Sequence, residues 1–238
     1  MESYDLPRAV ICSPDIYPDS VKTLESMGIK VLFSCKNQNV MTPLMYHADM
    51  QIVKTGASSY VCAPECYDYY RNLLKDYSVT ITCGNTYLSC NYPGDIAYNI
   101  IITEKLAVHN FNYTDSSVKN SLNDKNIIDV SQGYTSCTLC LLTDSDFITS
   151  DMGIYKSLRY NHCDVLLIDD TSVLLPGFDH GFIGGSTFML SHDTLAVNGD
   201  ILSHSDCKKI ISFCNEKGIR LISLCDKSIM DIGSFVII

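Results

Sequence analysis

Cys137 follows the run Gly133-Tyr134-Thr135-Ser136, and His47 stands two residues before Asp49 in Tyr46-His47-Ala48-Asp49. A cysteine thiolate is a strong nucleophile, and a histidine moves protons near neutral pH. Together they could run covalent catalysis at an electrophilic carbon. On an extended chain, residues two apart face the same side, so His47 and Asp49 can address one pocket. Each also has a plain structural reading. Cys137 is one of twelve cysteines, and a His-x-Asp pair serves equally well as a cap or a hydrogen-bonded support.

Two further aspartates precede apolar runs: Asp95 in Tyr92-Pro93-Gly94-Asp95, and Asp231 in Met230-Asp231-Ile232-Gly233. They either bind the amino groups of a cation through charge-assisted bonds or cap turns. The stretch 176–185, Pro-Gly-Phe-Asp-His-Gly-Phe-Ile-Gly-Gly, is the densest glycine and polar loop in the chain. Asp179 and His180 within it read as a second acid–base pair or as a plain turn. No helix is expected after it, so it is not a phosphate loop. Cys137 and Cys140 form a Cys-x-x-Cys without a second such pair, and residues three apart on a strand face opposite sides. No metal is expected there. Tyr67, Tyr69 and Tyr70 share one expected helix and cannot all face inward.

A net charge of −10 excludes a nucleic-acid backbone as partner, which would need a basic stripe. It suits a cationic small molecule, and equally a surface that is simply kept soluble. No apolar run approaches the ~20 residues of a membrane helix, so no membrane partner is expected. Residues 1–8 are polar and acidic, unlike a signal or transit peptide. Most cysteines lie in apolar runs; Cys12, Cys83, Cys140, Cys214 and Cys225 read as small buried hydrophobes. Reduced thiols in a cytoplasm are the expectation.

The elements that must position these residues repeat. Strands at 50–54 and 60–63, a helix from Pro64 to about 74 and a strand at 78–82 form one unit. The order recurs at 96–103, 106–110, a helix capped by Asp115, and 126–130. It recurs again at 137–142, 147–150, a helix capped by Asp151, and 164–168. A further unit comprises 187–190, 195–198, a helix capped by Ser205 or Asp206, and 220–224. The N-terminus begins directly with a second strand (9–13), a helix at 18–27 and a third strand at 30–33. The C-terminus ends in a lone first strand, 233–238. Joined, the two fragments make a fifth unit, so one domain of five ββαβ units covers 1–238 at about 48 residues each. Closing the ring with the last strand removes two free edges. The alternative is a doubly wound α/β sheet, although that fold normally supplies one strand per helix.

Five ββαβ units around an axis resemble the pentein superfamily, whose catalytic members modify guanidino groups: deiminases, amidinotransferases and dimethylarginine hydrolases. The resemblance implies an α/β propeller with functional residues at the starts of the first strands. His47-Ala48-Asp49 looks like the family's His-Leu-Asp motif, which makes His47 the general acid/base. Cys137, two units later after a glycine-containing stretch, matches the position of the nucleophile. The family's Glu-Gly-Gly-Asp motif would fall one unit before the His; only Asp231 stands there, and Gly184-Gly185-Ser186 sits a unit earlier without acids. On this reading Cys137 and His47 are catalytic, and Asp49, Asp95, Asp231, Asp179 and His180 line the substrate site. The resemblance implies neither a metal nor an organic cofactor. The superfamily also includes a non-catalytic translation factor, so a binding or scaffold ring is the alternative.

Overall fold

Ala9–Cys12 (β1) is a short run of small and apolar side chains, buried along its whole length. Pro18 opens the helix Pro18–Ser26 (α1), where its missing N–H costs nothing. Lys30–Phe33 (β2) then returns parallel to β1, with Val10 opposite Val31. This strand–helix–parallel-strand module recurs through a computed structural model that describes residues 6–238. In each recurrence a first strand is added antiparallel to the second.

The second unit comprises a helical turn Ala48–Gln51 (α2), Ile52–Gly56 (β3), Ser59–Cys62 (β4), Tyr67–Leu73 (α3) and Thr80–Cys83 (β5). The third has Ile101–Ile102 (β6), Leu106–His109 (β7), Ser116–Asn120 (α4) and Asn126–Asp129 (β8). The fourth has the turn Thr135–Thr138 (α5), Leu139–Leu141 (β9), Asp146–Thr149 (β10), Met152–Tyr160 (α6) and Asp164–Leu167 (β11). The fifth has Thr187–Ser191 (β12), Thr194–Val197 (β13), Cys207–Glu216 (α7) and Arg220–Ser223 (β14). Val236–Ile237 (β15) pairs antiparallel with β1, Ile237 opposite Val10. The result is five three-stranded sheets, not the single sheet of a doubly wound domain.

Middle strands β1, β7 and β13 are buried throughout, whereas β2, β5, β8 and β14 are largely exposed. The first strands of all five sheets line one cavity of about 210 Å³, which Ile52, Ile101, Leu139, Thr187 and Val236 reach. Each unit shares apolar core with its neighbours. Ile11 and Val236 cluster with Met50 and Ala107, Val108 with Phe147, Ile148 with Val197, and Phe188 with Val10 and Leu24. Two caps behave as expected, Asp115 accepting the Ser117 N–H and Asp151 the Ile154 N–H, whereas Asp206 stands at the N-cap of α7 without a side-chain cap bond.

Four first strands begin later than expected. Residues 50–51 and 137–138 are the ends of helical turns, and the third unit's strand starts at Ile101 rather than 96. The last strand is Val236–Ile237, shorter than 233–238. A short apolar run does not distinguish a buried turn from a strand. All twelve cysteines carry free thiols. Cys12, Cys140 and Cys214 are buried, but Cys83 is exposed and Cys225 half-buried, because they fall at or beyond the ends of the outer strands β5 and β14. Tyr70 is buried, while Tyr69 lies at the surface with its hydroxyl donated to the Phe33 carbonyl. No helix among the described residues is long and apolar enough to cross a membrane. The reading of 1–8 falls mostly outside the described residues.

Candidate active site

Two short turns carry the candidate residues. Gln51 ties down α2: its amide donates to the carbonyls of Cys35 and Met45, 2.9 Å each, and its oxygen accepts the Tyr70 hydroxyl at 2.6 Å. That fixes His47, the N-cap, and Asp49, in the first turn. Asn99 does the same for α5. Its side-chain oxygen accepts the N–H groups of Ser136 (2.8 Å) and Cys137 (3.4 Å), and its amide donates to the Cys137 sulfur at 3.3 Å. Cys137 in turn donates its thiol hydrogen to Asp49 Oδ2 at 3.1 Å. Donor atoms of His47, Asp49 and Cys137 all lie within 4.8 Å of one another, close enough to share a metal ion as well as a proton. His47 and Asp49 therefore meet Cys137 from a helical turn, not from the extended strand expected.

Asp231 approaches from the segment before β15. Its two oxygens accept the N–H groups of Gly233 (2.9 Å) and Phe182 (3.0 Å). The approach is close: a Cβ on Gly185 would overlap the Asp231 carboxylate, and one on Gly233 would overlap His47. Gly233 sits at φ +72°, a conformation that glycine adopts without strain. It also passes its carbonyl to the Asp49 N–H at 3.1 Å, joining the two acidic residues through one backbone unit.

A cavity of about 320 Å³ is lined by His47, Cys137 and Asp231 together with Asp179 and His180 of the 176–185 loop, whereas Asp49, bonded to Cys137, lines the cavity of about 210 Å³ instead. Asp179 is exposed at its mouth; His180 bonds through Nδ1 to the Gly181 carbonyl at 2.8 Å. Asp95 stands one side chain further back. It accepts the Tyr134 hydroxyl at 2.7 Å, and it is Tyr134 that reaches the cavity. Cys140 is directed instead into the apolar core between the fourth and fifth units. Asn99 and Tyr134 escaped the sequence reading. The only trace of Asn99 is a lone amide inside the apolar run 96–102.

Enclosure sets the electrostatics. Burial pushes Asp231 up to about 8 and Asp49 up to about 6, the latter opposed by the bonds it receives. Burial holds His47 down at about 3, hence neutral. The Cys137 thiol is raised well above its ordinary value, by burial first and then by the charges of Asp49 and Asp231. Asp231, Asp179 and the Cys137 thiol thus line a cavity that no lysine or arginine lines among the described residues, and Asp49 adjoins it through its bond with Cys137. A cation placed there would offset the cost of ionising them.

A family model described as a family of unknown function (DUF6873) matches residues 11–236. The chain belongs to that family. No curated protein matches this DUF6873 sequence. Among solved structures, the agmatine deiminase of C. jejuni aligns with TM-score 0.57 at 8% identity, over 94% of this chain and 89% of that one. DDAH from Pseudomonas aeruginosa, complexed with citrulline, aligns with TM-score 0.55 at 5% identity over 92% of both chains. SxtG, an amidinotransferase from Microseira wollei in the saxitoxin biosynthetic pathway, aligns with TM-score 0.54 at 12% identity, over 96% and 95%. The fold is the pentein fold of these structures, shared at 12% identity or less.

Proposed function

We propose that this chain is a single closed five-bladed propeller whose site hydrolyses or deiminates a guanidino or related cationic small molecule through Cys137, in a reducing cytoplasm. One observation carries the reading: a thiol, a neutral imidazole and the Asp231 carboxylate line one cavity that no lysine or arginine lines among the described residues, with Asp49 bonded to the thiol from behind. Asp49 and Asp231 take the charge of the guanidinium, while Asp95 supports Tyr134 from behind. The thiol hydrogen points to Asp49 in the ligand-free chain; once Asp49 pairs with the cation, His47 accepts the thiol proton and the thiolate adds to the guanidinium carbon. The same proton passes to the departing amine, leaving a thiouronium on sulfur. Water then gives a proton to His47 and its oxygen to the carbon. Collapse expels the thiolate, which is reprotonated, and a ureido product. Solved structures of the same fold include an agmatine deiminase and a DDAH–citrulline complex, which agrees with this chemistry.

A panel of guanidines incubated with the chain should release amine and ureido product, and Cys137→Ala should abolish both. Full activity in that variant would remove Cys137 from the reaction. The alternative, a non-catalytic binding ring, is favoured by one observation: the thiol is held protonated when the cavity is empty. Alkylation rates mapped by cysteine separate the two. A nucleophilic Cys137 reacts faster than buried Cys12 and Cys214 once a guanidine is present, and a structural one stays as slow as they are.

A further inference from the structure

The floor of the cavity is acidic, but its walls are of another kind. Leu44, Met50 and Leu175 are buried there, with Tyr134 and Phe182 half-buried beside them. Phe182 packs edge-on against the His180 ring, with centroids 5.7 Å apart at 88°. Phe178 closes the wall at the mouth, 42% exposed although it lines the cavity. A volume of about 320 Å³ is at the small end for ligand pockets, which fits a compact ligand.

We propose that the site accepts a guanidinium or amidinium cation on a short apolar tail and rejects tails that bear a carboxylate. The inference rests on the cation-binding reading above and adds the chemistry of the other end of the ligand. A tail carboxylate entering here meets apolar walls, the exposed Asp179 and, among the described residues, no lysine or arginine. His47, on the cavity floor, offers no positive charge, because burial keeps it neutral. An ionised group left unpaired in such surroundings is strongly disfavoured. A tail ammonium could meet Asp179, but at the solvent-exposed rim such a pair changes affinity little.

Arginine, agmatine and n-butylguanidine share one four-carbon guanidino chain and differ only in carrying carboxylate and amine, amine alone, or neither. Calorimetric titration of the Cys137→Ala chain, which binds without turnover, should give n-butylguanidine an affinity at least ~100-fold above arginine, with agmatine within ~10-fold of n-butylguanidine. Phe178→Arg, at the exposed mouth, should recover ~10-fold or more for arginine and nothing for n-butylguanidine. Arginine binding within about threefold of n-butylguanidine, or no binding by any of the three, overturns the proposal. Product assays on the unmodified chain keep the two ideas apart. Binding in the predicted order without product leaves the ligand class standing and removes the hydrolysis, whereas arginine as the best-turned-over substrate does the reverse.

Discussion

Asp231 receives two backbone N–H groups and no cation, yet it is fully enclosed. Its proton is consequently part of the folded state. With the carboxyl raised from 3.8 to about 8, the folded chain holds a proton across neutral pH that the unfolded chain has already released. The stabilisation is complete below pH 3.8 and is lost as pH rises through about 8. His47 works oppositely: held at about 3 instead of 6.5, it lowers stability as pH falls below 6.5. Above that value Asp231 acts without this opposition. Urea denaturation of the ligand-free chain should therefore show stability falling between about pH 6.5 and 8.5, at the steepest by roughly 1 kcal/mol per pH unit. A saturating guanidine should flatten that slope, because a cation favours the ionised carboxylates. A ligand-free profile that is level or rises across this window would contradict the enclosure of Asp231.

At the scale of elements, the site is made by the turns that precede first strands, and glycines let those turns approach one another. Gly185→Ala puts a methyl group into the Asp231 carboxylate, which Gly233 and Phe182 hold from the other side. A loss of about 2 kcal/mol or more in thermal or urea unfolding should follow, together with loss of guanidine binding. An unchanged melting temperature would mean that Asp231 is free to move. The turns are also where sequence reasoning was weakest. Helices announced themselves through Asp115 and Asp151, whose carboxylates cap them as their positions imply. The ββαβ order was legible from alternating apolar runs and turn residues. The run 137–142, however, looks equally apolar whether its first residues are strand or buried turn, and only the bonds from Asn99 decide. The extended-chain argument pairs His47 with Asp49, yet they meet because one caps a helical turn and the other lies within it. Asn99 had no partner at a telling spacing, since its contacts lie 37 and 38 residues away.

Over the whole molecule, cores shared between neighbouring units leave no unit standing by itself. Phe188 of the fifth unit packs with Val10 of the first, just as Phe147 of the fourth packs with Val108 of the third. The first unit is assembled from both ends of the chain, with the Ile238 N–H on the Ala9 carbonyl at 2.9 Å. On the closed-ring reading proposed above, the cavity depends on the cyclic order of the units and not on which peptide bond is left open. A chain joined from Ile238 to Leu6 by a short flexible linker and reopened between Ala57 and Ser58, in the exposed β3–β4 turn, should fold and bind guanidines within about threefold of the original. Failure to fold would mean that the β1–β15 pairing is an incidental contact. In the rearranged polypeptide the site residues would be encoded as Cys137, Asp231, His47, Asp49. On the closed-ring reading the linear order of a motif is independent of where the ring is cut, so relatives of the site are better sought by rotating a sequence than by aligning it end to end.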